Sequence, residues 1–316
     1  MNGALMVQPP RIPFGDWVAD GIRWLNRNAQ PIFDGISTVL ATLVDAFSEL
    51  LLAAPPLLLI VLVGLLAWVV RSGTFAIGSV LCLLFVWSTQ MWTNAMLTLA
   101  LVLIATLIAA AVGLPVGVWA ARNAAVSAIV RPVLDFMQTM PAFVYLIPAV
   151  LFFSIGVVPG MIATIIFALP PGVRMTELGI RQVDAETVEA GHAFGASRRQ
   201  ILRGIQLPLA VPTIMAGINQ VIMLGLSMAV IAGMAGAPGL GKEVVAALST
   251  INIAQGVEAG LGVVFIAVFL DRVTAALGNP SEHPTSLMSI IGRRRADLRR
   301  AEAVAERKAR GNLQPL

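Results

Sequence analysis

The chain has 316 residues, of which 58% are hydrophobic and 12% are charged, and its mean hydropathy is +0.86. A soluble domain carries about 25% charged residues, so this composition excludes a water-soluble fold and predicts an all-α, polytopic membrane protein. The net charge of +4 does not indicate nucleic-acid binding, because the tail at 293–310 alone carries a net charge of +5 and the rest of the chain is close to neutral. Such a tail is typical of a cytoplasmic segment that lies beside anionic membrane lipid.

Residues 1–50 are expected to form an N-terminal tail outside the membrane that contains an amphipathic helix. Its apolar side chains recur at helical spacing, and they are Ile32, Ile36, Val39, Leu40, Leu43, Val44 and Phe47. Two interpretations of this helix are open: it lies in the membrane interface, or it packs beside the membrane spans. The first thirty residues lack the continuous apolar run of a cleavable signal peptide.

Seven apolar runs follow this tail and predict about seven transmembrane helices, since a span needs roughly 20 apolar residues. The runs are 51–70, 74–92, 96–120, 141–158, 159–178, 211–235 and 256–277. With the N-terminus outside and the C-terminus in the cytoplasm, seventeen of the 21 Lys and Arg residues face the cytoplasm. This orientation is the one that the positive-inside bias favours.

One long polar insertion, 181–208, interrupts the apolar pattern between the fifth and sixth spans. Asp184 is a suitable N-cap for a first short helix, and Gly195 is suited to end it. The small residues Ala190 and Gly191 would allow another protein to approach this helix closely. The insertion therefore predicts a cytoplasmic docking element.

A second short helix is predicted after the first. Ser197 and Gln200 have the spacing of a capping box at its start. Pro208 is expected to prevent its continuation into a regular helix, because proline has no backbone N–H to donate within a helix. Together the two helices form a helix-turn-helix on the cytoplasmic face.

The insertion also resembles the EAA motif of ABC importer permeases, in which EAA is followed after three residues by Gly and after nine more by I-x-L-P. The matching residues are Glu189, Ala190, Gly191, Gly195, Ile205, Leu207 and Pro208. Gly191 departs from the pattern, since the family more often has alanine there. Longer stretches at 137–145, 165–171 and 207–217 are similar to glycine betaine and proline betaine permeases, and choline and carnitine relatives share them.

This resemblance implies a five-helix, MetI-like permease core at 93–278, two additional transmembrane helices at 51–92 and a basic cytoplasmic tail at 279–316. It implies three protein partners: a cytoplasmic ABC ATPase subunit that binds the EAA residues, a periplasmic substrate-binding protein, and a second permease copy in a homodimer. The implied location is the bacterial inner membrane. The implied function is the permease subunit of an ATP-driven importer for glycine betaine, proline betaine or a related quaternary amine.

No catalytic residue, metal or cofactor is expected in this chain, because a separate subunit would hydrolyse ATP. The segment 236–242 has the spacing of a P-loop, but Glu243 stands where the Ser or Thr is required. Cys82 is the only cysteine, and the two histidines, His192 and His283, lie far apart in the sequence, so the sequence predicts no metal site.

Several polar residues within the spans are candidates for the translocation path. They are Tyr145, Asn219, Gln220 and Ser227. The alternative is that these side chains hold neighbouring helices together. Arg174 is expected to pair with Glu177, since they are three residues apart on a helix.

Two other functions remain open at this point. One is an ABC permease for choline, carnitine or another small solute. The other, more distant, is an ion-coupled secondary transporter, which would be expected to show carboxylates near the membrane centre and inverted repeats. Neither feature is visible in the sequence.

Overall fold

The structure is a computed structural model that describes residues 13–278, so the predicted basic tail at 279–316 lies outside the described residues. Within this range every regular element is a helix, which confirms the predicted fold class. The α-helices are α1 (Phe14–Ala53), α2 (Pro56–Val70), α3 (Gly73–Ser88), α4 (Trp92–Arg122), α5 (Ala124–Thr139), α6 (Ala142–Phe153), α7 (Val157–Arg181), α8 (Ala185–Ala193), α9 (Arg198–Ile201), α10 (Leu207–Ala232), α11 (Leu240–Thr250) and α12 (Ile253–Gly278).

Five helices in the described part of the chain are long and apolar enough to cross a membrane. They are α1, α4, α7, α12 and the continuous helix formed by α9 and α10. By contrast, α2 and α3 have 15 and 16 residues. At 1.5 Å per residue each is about 23 Å long, less than the roughly 30 Å of a bilayer's hydrocarbon core. The two additional spans predicted at 51–92 are therefore shorter than the sequence suggests.

The centre of the bundle is formed by α4, α7 and α10, which approach one another at glycines. A Cβ atom at Gly117 of α4 would lie 2.7 Å from the carbonyl oxygen of Val173 in α7. A Cβ atom at Gly217 of α10 would lie 2.6 Å from the Cβ of Met175 in α7. Small residues at such positions let helix backbones pack closely where no hydrophobic effect drives association.

The two ends of this bundle differ. α7 ends and α10 begins at the end that carries α8 and α9, which we call the inner end. Gly278, the last residue of α12, packs against Met215 of α10 and so also lies toward the inner end. At the opposite, outer end, the Gly156 N–H at the start of α7 donates to the Ala235 carbonyl, 2.9 Å away.

α1 is longer than the predicted amphipathic helix, running without a break from Phe14 to Ala53. Two members of its predicted apolar stripe, Leu40 and Val44, are buried against Val158 and neighbouring residues of the core. Other members stay exposed, among them Ile32, Val39 and Leu43. α1 thus packs on the bundle with one face and leaves a second apolar face free for lipid.

The fourth predicted span, 141–158, is wrong in its bounds. The structure has a 12-residue helix there, α6, which follows α5 with a bend of 96°. Met140 and Pro141 both have extended backbones at the bend, as expected for a proline and the residue before it. Ser154 with φ of +62° ends α6. The pair α5–α6 is therefore one broken span or a re-entrant element.

Candidate coupling and translocation site

The insertion 181–208, which we call the coupling segment, folds into the two short helices that the sequence predicts. The Asp184 side chain caps α8 by accepting hydrogen bonds from the Thr187 N–H and hydroxyl, at 3.2 and 2.9 Å. These bonds hold the pKa of the Asp184 carboxyl below its usual value. α8 ends before Gly195, whose φ of +77° lies in the left-handed region that favours glycine.

The EAA residues on α8 divide into exposed and buried positions. Glu189 and Ala190 are exposed, whereas Gly191 is buried. A Cβ atom at Gly191 would lie 2.8 Å from the Cδ1 atom of Ile205. The small residue at 191 therefore makes room for Ile205 of this chain. The sequence had instead suggested that it makes room for another protein.

Phe194 is an exposed aromatic residue at the end of α8 that the sequence analysis missed. Its exposed fraction is 93%, and it lies one helical turn after Ala190. A large exposed aromatic beside small residues is typical of an anchor for a protein partner. In the sequence, the only indication of this anchor was a single bulky residue between Ala193 and Gly195.

The second helix of the coupling segment begins as predicted and leads into a π-helical turn. Ser197 and Gln200 form a reciprocal capping box. Before Pro208 the chain leaves regular α-helical geometry, as predicted, in a π-helical turn, Leu202–Gln206, and it then continues into α10. The Leu207 N–H donates to the Leu202 carbonyl, five residues back. This wider turn accommodates Pro208, which has no N–H for a regular helical bond.

A buried carboxylate lies at the inner end of α7, one turn before the coupling segment. Glu177 has a side chain that is 5% exposed. Its Oε1 atom accepts hydrogen bonds from the Ser127 hydroxyl at 2.7 Å and from Arg131 at 2.9 Å, both on α5. The Nε atom of Arg181 lies 3.0 Å from the same oxygen. Glu177 therefore connects α5 to the start of the coupling segment.

Two further contacts extend this cluster. Arg181 also donates to the Ala120 carbonyl at 2.9 Å, which connects the inner end of α4. Arg174 does not pair with Glu177, as its spacing suggests, but forms an ion pair with Asp135 of α5. Arg174 and Glu177 both pair with side chains on α5 because α5 packs along α7, a contact that sequence spacing does not reveal.

The four polar candidates for the path occupy different environments. Asn219 donates to Asp271 of α12 at 2.6 Å and accepts from Thr274 at 2.7 Å. Gln220 and Ser227 are exposed on α10, about two turns apart. The contacts of Asn219 fit the alternative in which it holds neighbouring helices together.

Tyr145 is the fourth candidate, and it is buried at the start of α6. Its hydroxyl donates to the Met137 carbonyl of α5, and its ring meets the ring of Phe167 edge-on, with the ring centres 6.0 Å apart. Gln138 of α5 also donates to the Phe167 carbonyl at 3.1 Å. Tyr145 thus fixes the angle between α5 and α6 and holds both against α7.

Residues 113–278, which contain the last part of α4 and all of α5 to α12 with the coupling segment, match the family of binding-protein-dependent transport system inner membrane components. The chain belongs to this family. The match begins at Gly113 in α4 and ends at Gly278, where α12 ends. The permease is therefore a multi-pass membrane protein whose family part includes the whole coupling segment.

Two relatives match most of the permease. It is 45% identical over 270 residues to the Escherichia coli (strain K12) glycine betaine/proline betaine transport system permease protein ProW, covering 85% of this chain and 76% of ProW. It is 47% identical over 277 residues to the glycine betaine/carnitine transport permease protein GbuB of Listeria monocytogenes serotype 1/2a (strain 10403S). That match covers 86% of this chain and 98% of GbuB.

The fold of the permease is similar to that of a solved structure, the MetNI methionine ABC transporter in an inward-facing conformation. The TM-score is 0.55 at 21% identity, and the match covers 60% of this chain and 95% of that chain. This likeness supports the predicted permease architecture.

Proposed function

We propose that this permease is the membrane-spanning subunit of an ATP-driven importer that carries glycine betaine, proline betaine or a related quaternary amine. The observation that carries the proposal is α8 of the coupling segment, a short helix with Asp184 as its N-cap and Gly195 after its end, which exposes Glu189, Ala190 and Phe194 at the inner end. The 45% identity with ProW, which covers 85% of this chain, supports glycine betaine or proline betaine as the cargo.

The coupling segment is suited to dock a separate ATPase subunit. Phe194 would enter a pocket of that subunit, and Glu189 would contact its surface beside the phenyl ring. A cleft of about 480 Å³ next to Glu189 is lined by Arg122, Arg181 and Arg198. We therefore expect the ATPase surface opposite this cleft to carry acidic side chains.

The Glu177 cluster would carry movement of the docked segment into the membrane. Arg181 is both the last residue of α7 and a partner of Glu177, so displacing α8 pulls on this ion pair. Glu177 is bonded in turn to α5, which continues across the bend into α6. A broken helix of this kind is a common wall of transport sites.

A second copy of the permease would complete the translocation path. Gln220 and Ser227 lie on one face of α10, together with the exposed Met223 between them. Exposed polar groups on a spanning helix would be costly in lipid, so we propose that they line the path between two copies. Asn219 would then brace α10 against α12, and Tyr145 would set the α5–α6 angle.

The proposed orientation places the inner end in the cytoplasm, and a periplasmic substrate-binding protein would deliver substrate to the outer end. The basic residues favour this orientation. It puts the C-terminus in the cytoplasm, because α12 ends near the start of α10. Residues 1–50 would be the outer tail, 51–92 the two additional helices, 93–278 the permease core and 279–316 the cytoplasmic tail.

An outer N-terminus requires α1 to lie along the outer end rather than cross the membrane, and its contacts favour this. Asn26 donates to the Leu151 carbonyl at the end of α6, and Phe33 stacks on Phe152. Further along α1, Val44 packs in a cluster with Val158 at the start of α7. The contacts of Asn26 and Phe33 are with the outer end of the bundle, and the cluster at Val44 extends from the start of α7 to Ala105 of α4.

Carnitine is the second candidate cargo, because the name of GbuB includes it. Choline and other small solutes remain further alternatives among ABC permeases. Competition would discriminate them: unlabelled carnitine or choline is added in excess to proteoliposomes that take up labelled glycine betaine. Competition by glycine betaine and proline betaine alone supports the proposed cargo. Stronger competition by carnitine would instead identify carnitine as the preferred cargo.

Cysteine cross-linking tests the docking of the ATPase. In a Cys82→Ser background, Ala190→Cys on the exposed face of α8 is expected to form a disulfide with a cysteine placed in the ATPase groove. Gly260→Cys, on α12 away from the coupling segment, is the matched control. Equal cross-linking at both positions would contradict the proposed docking surface.

A further inference from the structure

A cleft of about 690 Å³ separates the α2–α3 pair from α4 and α12. Two aromatic contacts join α3 to α12 beside it. Phe75 stacks on Phe269 with ring centres 6.1 Å apart, and Phe85 meets Phe265 edge-on at 5.7 Å. The remaining wall is largely apolar and reaches the start of α4 at Trp92. Such a wall suits a hydrocarbon chain.

One end of the cleft is basic. Arg71, in the turn between α2 and α3, lines it beside the hydroxyl groups of Ser72 and Thr74. The guanidinium carbon of Arg71 lies 5.4 Å from the centre of the Phe75 ring, and its Nη1 atom donates to the Arg272 carbonyl at 3.4 Å. Arg71 is thereby held at the mouth of the cleft.

The charge at this end is net positive. Arg272 of α12 also lines the cleft and pairs with the Asp271 carboxylate at 3.6 Å. That carboxylate also accepts a hydrogen bond from the Asn219 side chain. Among residues 13–278, no carboxylate lies within 4.0 Å of the Arg71 side chain. Of the two guanidinium groups, only that of Arg272 is paired with a carboxylate, which leaves room for one further anion.

We propose that this cleft binds one anionic phospholipid, with its phosphate between Arg71 and Arg272 and an acyl chain along the apolar wall towards Trp92. The basic end lies near the inner end of the bundle, since Arg272 precedes Gly278 by fewer than two helical turns. Anionic lipids are concentrated in the cytoplasmic leaflet, and basic pockets between helices on that side bind their headgroups. The positive charge disfavours a quaternary amine, so the cleft is not a part of the translocation path.

Photo-cross-linking of lipid tests this site. The full-length permease, with its ATPase, is reconstituted in phosphatidylcholine liposomes that contain a trace of either phosphatidylglycerol or phosphatidylcholine with a photoreactive acyl chain. Labelled residues are then mapped by mass spectrometry. We expect phosphatidylglycerol to label α3 and the facing part of α12 preferentially. Arg71→Gln and Arg272→Gln are each expected to lower this labelling about fivefold.

A glycine in the wall provides a second, independent variant. A Cβ atom at Gly78 meets no atom within 4 Å, so Gly78→Leu fills the cleft without a clash in the protein. It is expected to lower labelling by both lipids at α3. Gly260→Leu, which also meets open space, and Arg203→Gln are controls that should leave labelling unchanged.

Three results would overturn the proposal. Equal labelling by the two lipids would show that the basic end selects no headgroup. Labelling that is spread over all lipid-facing helices and insensitive to Gly78→Leu would show surrounding bilayer lipid alone. Cross-links between two permease copies through α3, without lipid adducts, would show that a second copy fills the cleft.

Discussion

At the scale of single residues, the carboxylate of Glu177 holds three elements at the inner end of the bundle. It accepts hydrogen bonds from Ser127 and Arg131 of α5, and Arg181 pairs with it directly before the coupling segment. All three partners contact the same carboxylate oxygen, and the Glu177 side chain is only 5% exposed. Removing the charge therefore affects both the stability of the fold and the link between coupling segment and membrane helices.

Glu177→Gln is expected to lower the free energy of unfolding by about 1–3 kcal/mol, because Ser127, Arg131 and Arg181 lose the charged, buried acceptor that they share. Thermal unfolding of the purified protein in detergent measures this loss. The matched control is Asp135→Asn, whose exposed pair with Arg174 should contribute less than about 1 kcal/mol. Equal destabilisation by the two substitutions would show that the Glu177 cluster has no special structural role.

Residue-level signals in the sequence predicted local contacts well and distant contacts poorly. The capping box of Ser197 and Gln200 was predictable, because both partners lie within one helical turn. Of the two arginines that pair with Glu177, Arg181 lies at i+4 and could have been found from helix spacing, whereas Arg131 could not without knowing that α5 packs on α7. Burial of Gly191 likewise depends on Ile205, fourteen residues away, and on the angle between two helices.

At the scale of elements, close helix packing and two helix irregularities shape the site. α4 meets α7 at Gly113 and Gly117, one turn apart. The bend between α5 and α6 and the π turn before α10 flank the coupling machinery. Apolar runs predicted α4, α7, α10 and α12, because long hydrophobic stretches identify spans. The amphipathic helix α5 was missed because it carries charged residues among its apolar ones.

The glycines on α4 allow a matched pair of substitutions. A Cβ atom at Gly117 would lie 2.6 Å from the Cβ of Thr176, whereas at Gly113 the nearest atom, the Val173 amide nitrogen, is 3.5 Å away. Gly117→Ala is therefore expected to destabilise the protein by about 1–3 kcal/mol. Gly113→Ala should be neutral or slightly stabilising, because alanine favours the helix. Thermal unfolding compares the two, and a larger loss at Gly113 would contradict the packing.

The π turn gives a prediction about coupling rather than stability. Pro208→Ala supplies an N–H that can bond the Gly204 carbonyl, so the turn can relax to a regular α-helix. The change of this turn from π-helical to α-helical geometry would rotate α8 and α9 relative to α10 by about 100°. We expect substrate uptake per ATP hydrolysed to fall, with little change in thermal stability. Pro212→Ala, in the regular part of α10, is the control, and an equal loss of coupling there would refute the role of the turn.

At the scale of the whole molecule, the permease presents two functional ends joined by a three-helix centre. The inner end carries Phe194 and the Glu177 cluster, and the outer end carries α1 and the turn at Gly156. Composition and charge predicted the membrane class and the favoured orientation. The path of α1 was not predictable, because the same amphipathic pattern fits a helix in the membrane interface and a helix beside the spans.

The central claim is that this permease couples ATP hydrolysis at its inner end to uptake of a quaternary amine. The most direct measurement is uptake of labelled glycine betaine into proteoliposomes that hold the permease with its ATPase and binding protein, with and without internal ATP. We predict uptake that requires ATP and is lost in Glu189→Lys, a variant that still inserts in the membrane and still hydrolyses ATP. Uptake that follows an ion gradient without ATP, or normal uptake by Glu189→Lys, would contradict the account.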